Sequence, residues 1–438
     1  MRIIRHAPTL ILCACLFTVP GLAQATEPSL TADMAVAQAW THSPELSAIQ
    51  EEITGLEQAA EQLPLLANPM LELEAATGNL TGSRDERTAG IALSQELPLS
   101  AAATRRRAVA RAEAEVARLQ LEGRKRSLAD EVRRAWGAAA LASQRLELLR
   151  NQSVLAETLL TIARERFAAG DLPEFEVQLA DLDRRRQLLR ETEQLAELTR
   201  AQRQLALLLG LADGQQLPPL APLALPQQPL PSDEHLVNSG LAHHPNLAAT
   251  RKEQQRDEAA LALARSEAVP NLTVGLFYRN ERSAQNSYQL NAGLLTPGTE
   301  RTTDHILGLK LAIPLPLFSR NQAELARANG KLNASRHRVE SARRTTAAEL
   351  RNLLAQHRLA LTTLELHRNA LGPVARENLQ IQQEAFKQGE VGMQTVLDEK
   401  RRLTEQQEAE LTALQAAYDS YSRLQSALDT PNKLRGEP

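Results

Sequence analysis

Two periods of apolar residues succeed one another along this chain, and the succession occurs twice. In the first half Leu71, Leu73 and Ala75 alternate with Glu72 and Glu74, and Ile91, Leu93 and Leu97 alternate with Ala92, Ser94 and Glu96. In the second, Leu272, Val274, Leu276 and Tyr278 share one face, as do Leu307, Leu309, Leu311 and Ile313. A period of two predicts strands with one apolar face. Turn-rich segments, residues 78–88 and 280–302, join the members of each pair. The period then changes: from about 100 to 168, and again from about 319 to 387, the pattern predicts helix, roughly 70 residues rising ~100 Å. Leu141, Leu148, Leu155 and Ile162 recur every seven residues, and Ala360, His367, Val374 and Ile381 repeat the spacing. Such a stripe is a seam for neighbouring helices. Pro373, preceded by Gly372, lies inside the second pattern and predicts a kink or local unwinding there. Return helices over about 174–210 and 393–429 complete each half.

Both long helices stop in the same way. In "RERFAAGDLPEFE" (164–176) and "QEAFKQGEVGMQT" (383–395) a phenylalanine stands three residues before a glycine and an acid follows it. Gly170 and Gly389 suit the left-handed position that ends a helix, and Phe167 and Phe386 are expected to fill the space beneath each turn. Any helical hairpin needs a glycine and an apolar plug, so the pattern by itself specifies architecture only.

The parallel extends over the whole chain. "THSPEL" returns as "AHHPNL", placing Pro44 against Pro245; Pro69, Pro98 and Gly170 correspond in the same way to Pro270, Pro316 and Gly389. This spacing identifies an internal duplication. Each half opens with a helix whose start is marked by a polar residue and then proline, Ser43 with Pro44 and His244 with Pro245. The expected organisation is a first repeat over 26–210, a proline-rich connector over 211–231 reading as an extended strap, a second repeat over 232–430 and a tail over 431–438.

Composition narrows the function. Aromatics are 3 % and charged residues 24 %, with a formal net charge of −3; this argues for long helices packed side by side and gives no electrostatic case for a nucleic-acid partner. Arg2 and Arg5 precede an apolar run, and "GLAQA" ends at Ala25, the pattern of a secretory signal spanning 1–25. Both cysteines, Cys13 and Cys15, lie within that run, so the exported chain is expected to have no thiol; the alternative is a lipoprotein signal with Cys15 acylated. Beyond residue 25 no stretch approaches the ~20 apolar residues of a membrane helix. No catalytic motif is present: His243 and His244 sit at a helix start, His357 and His367 lack zinc spacing, and neither a phosphate-binding loop nor a nucleophile elbow is found. The chain is expected not to be an enzyme and to need no cofactor.

Four strands of membrane-spanning length cannot close a barrel, since even small barrels use eight, and open edges in lipid leave backbone groups unsatisfied. Pooling three copies supplies twelve strands, with Glu72, Glu74, Ser94 and Glu96 toward water, the leucines toward lipid, and Phe277 and Tyr278 at an interface. The whole arrangement, with "AFKQGEVGMQTVLDEKR" around the second break, resembles the TolC-type outer-membrane efflux factors across essentially the entire exported chain. The resemblance implies a mainly α fold with a small β part, in which duplicated helical hairpins form an α-barrel and the strands join a trimeric twelve-stranded transmembrane barrel. It implies a homotrimer in the outer membrane with a long periplasmic extension, acting with a periplasmic adaptor and an inner-membrane pump of the resistance-nodulation-division type to export metal cations or drugs. Phe167, Gly170, Asp171, Leu172, Phe386, Gly389, Glu390 and Val391 would then form adaptor-docking tips, and Glu176 and Asp398 acids of a periplasmic gate; where the family pattern has a further acid this chain has Thr395. The alternative from another class is a periplasmic coiled-coil adaptor or scaffold that enters no membrane.

Overall fold

The computed structural model describes residues 29–80, 82, 85–212, 215, 217–225, 232–291 and 293–428. The expected secretion signal, both cysteines, the tail over 431–438 and part of the connector lie outside the described residues. Helix α1 (Ala32–His42) starts where the Thr31 hydroxyl accepts the Met34 N–H at 3.3 Å. In α2 (Pro44–Gln62) Ser43 caps the helix and Pro44 takes the first helical position, whose N–H would have no helical partner. Strands β1 (Met70–Thr77) and β2 (Arg87–Leu97) follow, then α3 (Ala102–Ala168) and α4 (Glu174–Leu208). The second half repeats the order as α5 (Asp233–His243), α6 (Pro245–Ser266), β3 (Leu272–Asn291), β4 (Leu294–Ala312), α7 (Gln322–Glu365), α8 (Gly372–Gln388) and α9 (Met393–Leu428).

The strands form one antiparallel sheet in the order β1-β2-β3-β4. Its register aligns the apolar faces of all four: Leu71, Leu93, Leu276 and Leu309 make one cross-strand row, and Leu73, Ile91, Tyr278 and Leu307 the next. A slip of one residue in any strand would move its leucines to the other side. Leu73, Leu307 and Leu309 are 73, 71 and 75 % exposed, so the protein itself leaves this face uncovered. The opposite face carries Glu72, Glu74, Arg279 and Lys310, with Arg279 bridging Glu74 and Glu281 at 3.2 Å each.

Two expectations for this region need correction. Most of 280–302 is not a loop but the outer part of a long hairpin, β3 and β4 pairing from Thr273–Ala312 to Asn291–Leu294. Polar residues predominate on both faces over 280–287 and 299–304, so no sustained apolar alternation betrays the strand. Phe277 also departs from expectation: it shares the polar face and lies over Gly308, where an added Cβ would come within 2.5 Å of the ring.

Helix α3 runs 67 residues without interruption, about 100 Å. Its buried side includes Ala114, Leu121, Leu128, Ala135, Ala142, Leu149, Ala156 and Ala163, a seven-residue repeat without a break. The second long helix matches it in length but contains a π-helical turn over Leu366–Leu371, directly before Gly372 and Pro373. Proline has no N–H to give and its ring crowds the preceding turn; widening to the π pattern absorbs both and inserts one residue. The buried repeat accordingly reads Leu350, His357, Leu364, then Gly372, Leu379, Phe386, seven apart except across the bulge. An uninterrupted count of seven from Ala360 therefore drifts off the seam, and Val374 and Ile381 are each 55 % exposed. The connector and the first repeat are tied together where Leu30 bridges Leu220 and the Leu30 carbonyl accepts the Trp136 indole N–H at 2.8 Å.

Candidate functional site: the paired hairpin tips

Both hairpins turn through the same backbone motif. After α3, the Gly170 N–H donates to the Phe167 carbonyl and the Asp171 N–H to Arg166, with Gly170 at φ +83°. After α8, the Gly389 N–H donates to Phe386 and the Glu390 N–H to Ala385, with Gly389 at φ +82°. These paired bonds satisfy carbonyls that the helix end leaves open, and the left-handed residue they require favours glycine.

The two turns differ in their side chains. Phe386 is fully buried, within a cluster that draws Leu159, Leu160 and Ala163 from α3, Ala180 from α4 and Met393 and Val396 from α9. Phe167, expected to play the same part, is 46 % exposed, and Leu172 fills the core at the first turn instead, at 7 % exposure. Leu172 therefore faces inward, whereas Asp171, Glu390 and both glycines are exposed and Val391 is half-buried.

Arg166 joins the tips. Its guanidinium stands 4.9 Å from the Phe386 ring centre and donates to the Phe386 carbonyl at 2.7 Å, a cation–π contact combined with a charge-assisted hydrogen bond. Sequence reasoning missed Arg166, because a basic residue in a last helical turn is ordinarily explained by the helix dipole alone.

Glu176 also crosses between the hairpins. Its Oε2 accepts the backbone N–H of the buried Met393 at 2.8 Å, placing a carboxylate on the first turn of α9, where the helix dipole favours negative charge. Asp398 lies within α9 and accepts from the Gln394 side chain at 3.0 Å. One heptad beyond Glu176 on α4, Asp183 forms an ion pair with Lys400, itself one heptad beyond Met393 and 1 % exposed. Burial pushes the Lys400 ammonium below the ordinary lysine range, the Asp183 carboxylate opposes that shift, and Arg190 adds to it. The return helices are thus held together by two rungs of the same spacing.

Glu176→Ala should lose about 0.5–2 kcal/mol of local stability, the usual value of a cap, seen as faster amide hydrogen exchange at Met393. Glu176→Gln keeps an acceptor oxygen and should retain most of the protection; equal exchange rates in wild type and the alanine variant would show that the cap is not made in solution.

Among the described residues no cluster of three or more His, Cys, Asp or Glu is arranged to hold a metal ion, and no helix is long and apolar enough to cross a membrane. Residues 236–430 match the family described as outer membrane efflux protein. The chain is 25 % identical over 390 residues to the cobalt-zinc-cadmium resistance protein CzcC of Cupriavidus metallidurans, covering 88 % of this chain and 86 % of that one. Its fold is similar to that of a crystallised membrane protein from Pseudomonas aeruginosa, with a TM-score of 0.70 at 20 % identity over 91 % of this chain and 92 % of the other. It is also similar to the open state of the MtrE outer membrane channel of Neisseria gonorrhoeae, with a TM-score of 0.67 at 17 % identity over 91 and 88 %.

Proposed function

We infer, from the premise that this chain belongs to the outer membrane efflux protein family, that it is the passive exit duct of a tripartite efflux system and not an enzyme. The observation that carries this is the sheet: a four-stranded wall with one aligned leucine face and two unpaired edges, β1 and β4, joined to helical hairpins about 100 Å long. Hydrocarbon tolerates strands only where every backbone group is paired, so the edges must meet those of other copies. Three copies would close a twelve-stranded barrel, β4 of each beside β1 of the next, which supports reading the protein as an outer-membrane homotrimer. The helices leave the opposite end of every strand and extend through the periplasm as a tunnel. The two halves, 26–210 and 232–430, act as structural repeats joined by the strap over 211–231.

The far end of the tunnel is the paired tips. Phe167, Gly170, Asp171, Gly389 and Glu390 present the surface for a periplasmic adaptor, which couples the duct to an inner-membrane pump of the resistance-nodulation-division type. Phe386 and Leu172 support that surface from beneath, and Val391 borders it. Glu176 and Asp398, on the return helices just behind the tip acids Asp171 and Glu390, are the acids of a periplasmic gate, with Glu176 also holding α9 in place. Divalent metal cations are the substrate class supported best. The CzcC relative is a cobalt-zinc-cadmium resistance protein, and the water-facing side of the sheet has more acid than base: Glu72, Glu74, Glu281 and Asp304 against Arg279 and Lys310. An acid-lined passage concentrates cations.

Two measurements test this. Cells lacking the gene should become more sensitive to zinc, cobalt or cadmium, with resistance restored by the cloned gene, and the protein should fractionate with outer membranes as a cross-linkable trimer. Recovery of a monomer in the soluble periplasm would overturn the duct assignment and favour a scaffold; unchanged metal sensitivity beside a membrane trimer would overturn the substrate class alone.

A further inference from the structure

The outward face of the sheet changes character at a single row. Beyond Leu73, Ile91, Tyr278 and Leu307 comes a row holding His305, whose Nδ1 lies 2.6 Å from the Tyr278 hydroxyl. In the row after that, Arg87 on β2 stands directly opposite Arg282 on β3. Both are an even number of residues from the leucines of their strands, so both share the lipid-facing side. Arg301, opposite Ala284, occupies the same face one row farther out and pairs with Asp85 at 3.0 Å.

Two like charges directly opposite on neighbouring strands destabilise a sheet. Among the described residues neither Arg87 nor Arg282 has an ion-pair partner, and the Arg282 Nε is buried without a hydrogen-bond acceptor. The position of the pair explains what would relieve this. From the Leu97–Leu272 row to the Arg87–Arg282 row is ten residues; at ~3.4 Å per residue and a strand tilt of ~40° this projects to ~26 Å, the height of the apolar band of a membrane barrel. All four helix–sheet connections lie at the Leu272 end, so the arginine row marks the outer boundary. Since β2 and β3 are the inner strands of the sheet, no neighbouring copy's strand covers it.

We propose that Arg87 and Arg282, supported by Arg301, bind the phosphate group of an outer-leaflet lipid headgroup. A phosphate between two guanidinium groups turns their repulsion into two charge-assisted, bidentate contacts and supplies the acceptor that the Arg282 Nε lacks. The site rests on the outer-membrane reading above and adds to it a named lipid chemistry.

The test uses detergent-purified full-length protein and native mass spectrometry with three probes: lipid A carrying two phosphate monoesters, the same glycolipid after enzymatic dephosphorylation, and inorganic phosphate. The phosphorylated glycolipid should bind at least ~10-fold more tightly than the dephosphorylated one, the ratio expected for loss of a desolvated charge-assisted contact. The double variant R87Q/R282Q should lose that preference and R87K/R282K should keep part of it. Should the double glutamine variant fail to fold, R87Q and R282Q carry the test singly, each expected to lose about threefold or more. Equal binding of both glycolipids to wild type, or a preference unchanged in the glutamine variants, would overturn the site. Binding of inorganic phosphate as tight as that of the glycolipid would overturn the lipid as its occupant. Wild-type protein found in outer membranes keeps the duct assignment standing whatever the lipid result; its recovery as soluble periplasmic protein would remove both.

Discussion

Replacing Asp183 by alanine is expected to destabilise the helical hairpins by about 3–5 kcal/mol, the usual consequence of leaving a buried charge without its partner. Lys400 is 1 % exposed and its ammonium is hydrogen-bonded to Asp183, so the cation has no short path to water. The same reasoning makes the paired replacement mild: Asp183→Leu with Lys400→Met substitutes apolar contact for a desolvated ion pair, and its stability should lie within about 1–2 kcal/mol of wild type, or above it. Unfolding of detergent-purified protein followed by helical circular dichroism measures both. A single alanine variant as stable as wild type would show that the pair is solvated.

The pair also has a pH signature. Burial holds the folded-state Lys400 pKa below its ordinary value despite Asp183. Between that lowered value and the ordinary one the unfolded chain binds more protons than the folded chain, so this group makes stability rise with pH across that window. Lys400→Met should flatten that rise.

The limits of legibility along this chain follow from what each residue can signal locally. The inner part of the sheet was readable because one apolar face and one polar face write a period of two into Leu71–Ala75 and Leu307–Leu311. The outer part of the β3–β4 hairpin was not, because the mostly polar residues of 280–287 and 299–304 leave no sustained alternation; its pairing is visible only in the register, as where Ser283 meets Thr302 at 2.9 Å. The long helices were legible from length and heptads. Pro373 announced a kink or local unwinding, yet the form it takes, a π-helical turn over Leu366–Leu371 that inserts one residue, depends on how the ladder closes around the ring. At the tips the glycines declared themselves through the left-handed conformation. Which phenylalanine is buried did not, since both halves carry the same motif and the neighbours decide. Arg166, Asp183 and Lys400 were invisible for a simpler reason: their partners lie more than two hundred residues away, and no local pattern encodes such a meeting.

Gly389→Val should abolish metal export while trimers still form, and the contrast with Gly170 explains why. Both glycines sit at nearly the same positive φ, so a β-branched residue at either meets backbone strain of roughly 1–2 kcal/mol or more. The surroundings differ. A Cβ at Gly170 would meet no heavy atom within 4 Å, whereas at Gly389 it would stand 3.2 Å from the Arg166 guanidinium. The two further methyl groups of valine then force Arg166 away from the Phe386 ring and carbonyl, and the contact that holds the tips together is lost. Gly170→Ala should accordingly leave metal resistance far closer to wild type than Gly389→Val does, since strain of about 1–2 kcal/mol, roughly 5- to 30-fold in a local equilibrium, leaves the Arg166 contact intact. Gly389→Val should reduce resistance to that of cells lacking the gene. Arg166→Ala should approach the same phenotype without altering any turn dihedral, which separates loss of the tip contact from backbone strain. The measurement is growth in graded zinc, cobalt or cadmium, with cross-linking to show that each variant reaches the membrane as a trimer. Wild-type resistance in the Gly389→Val strain would mean that the geometry of this tip is not used in export.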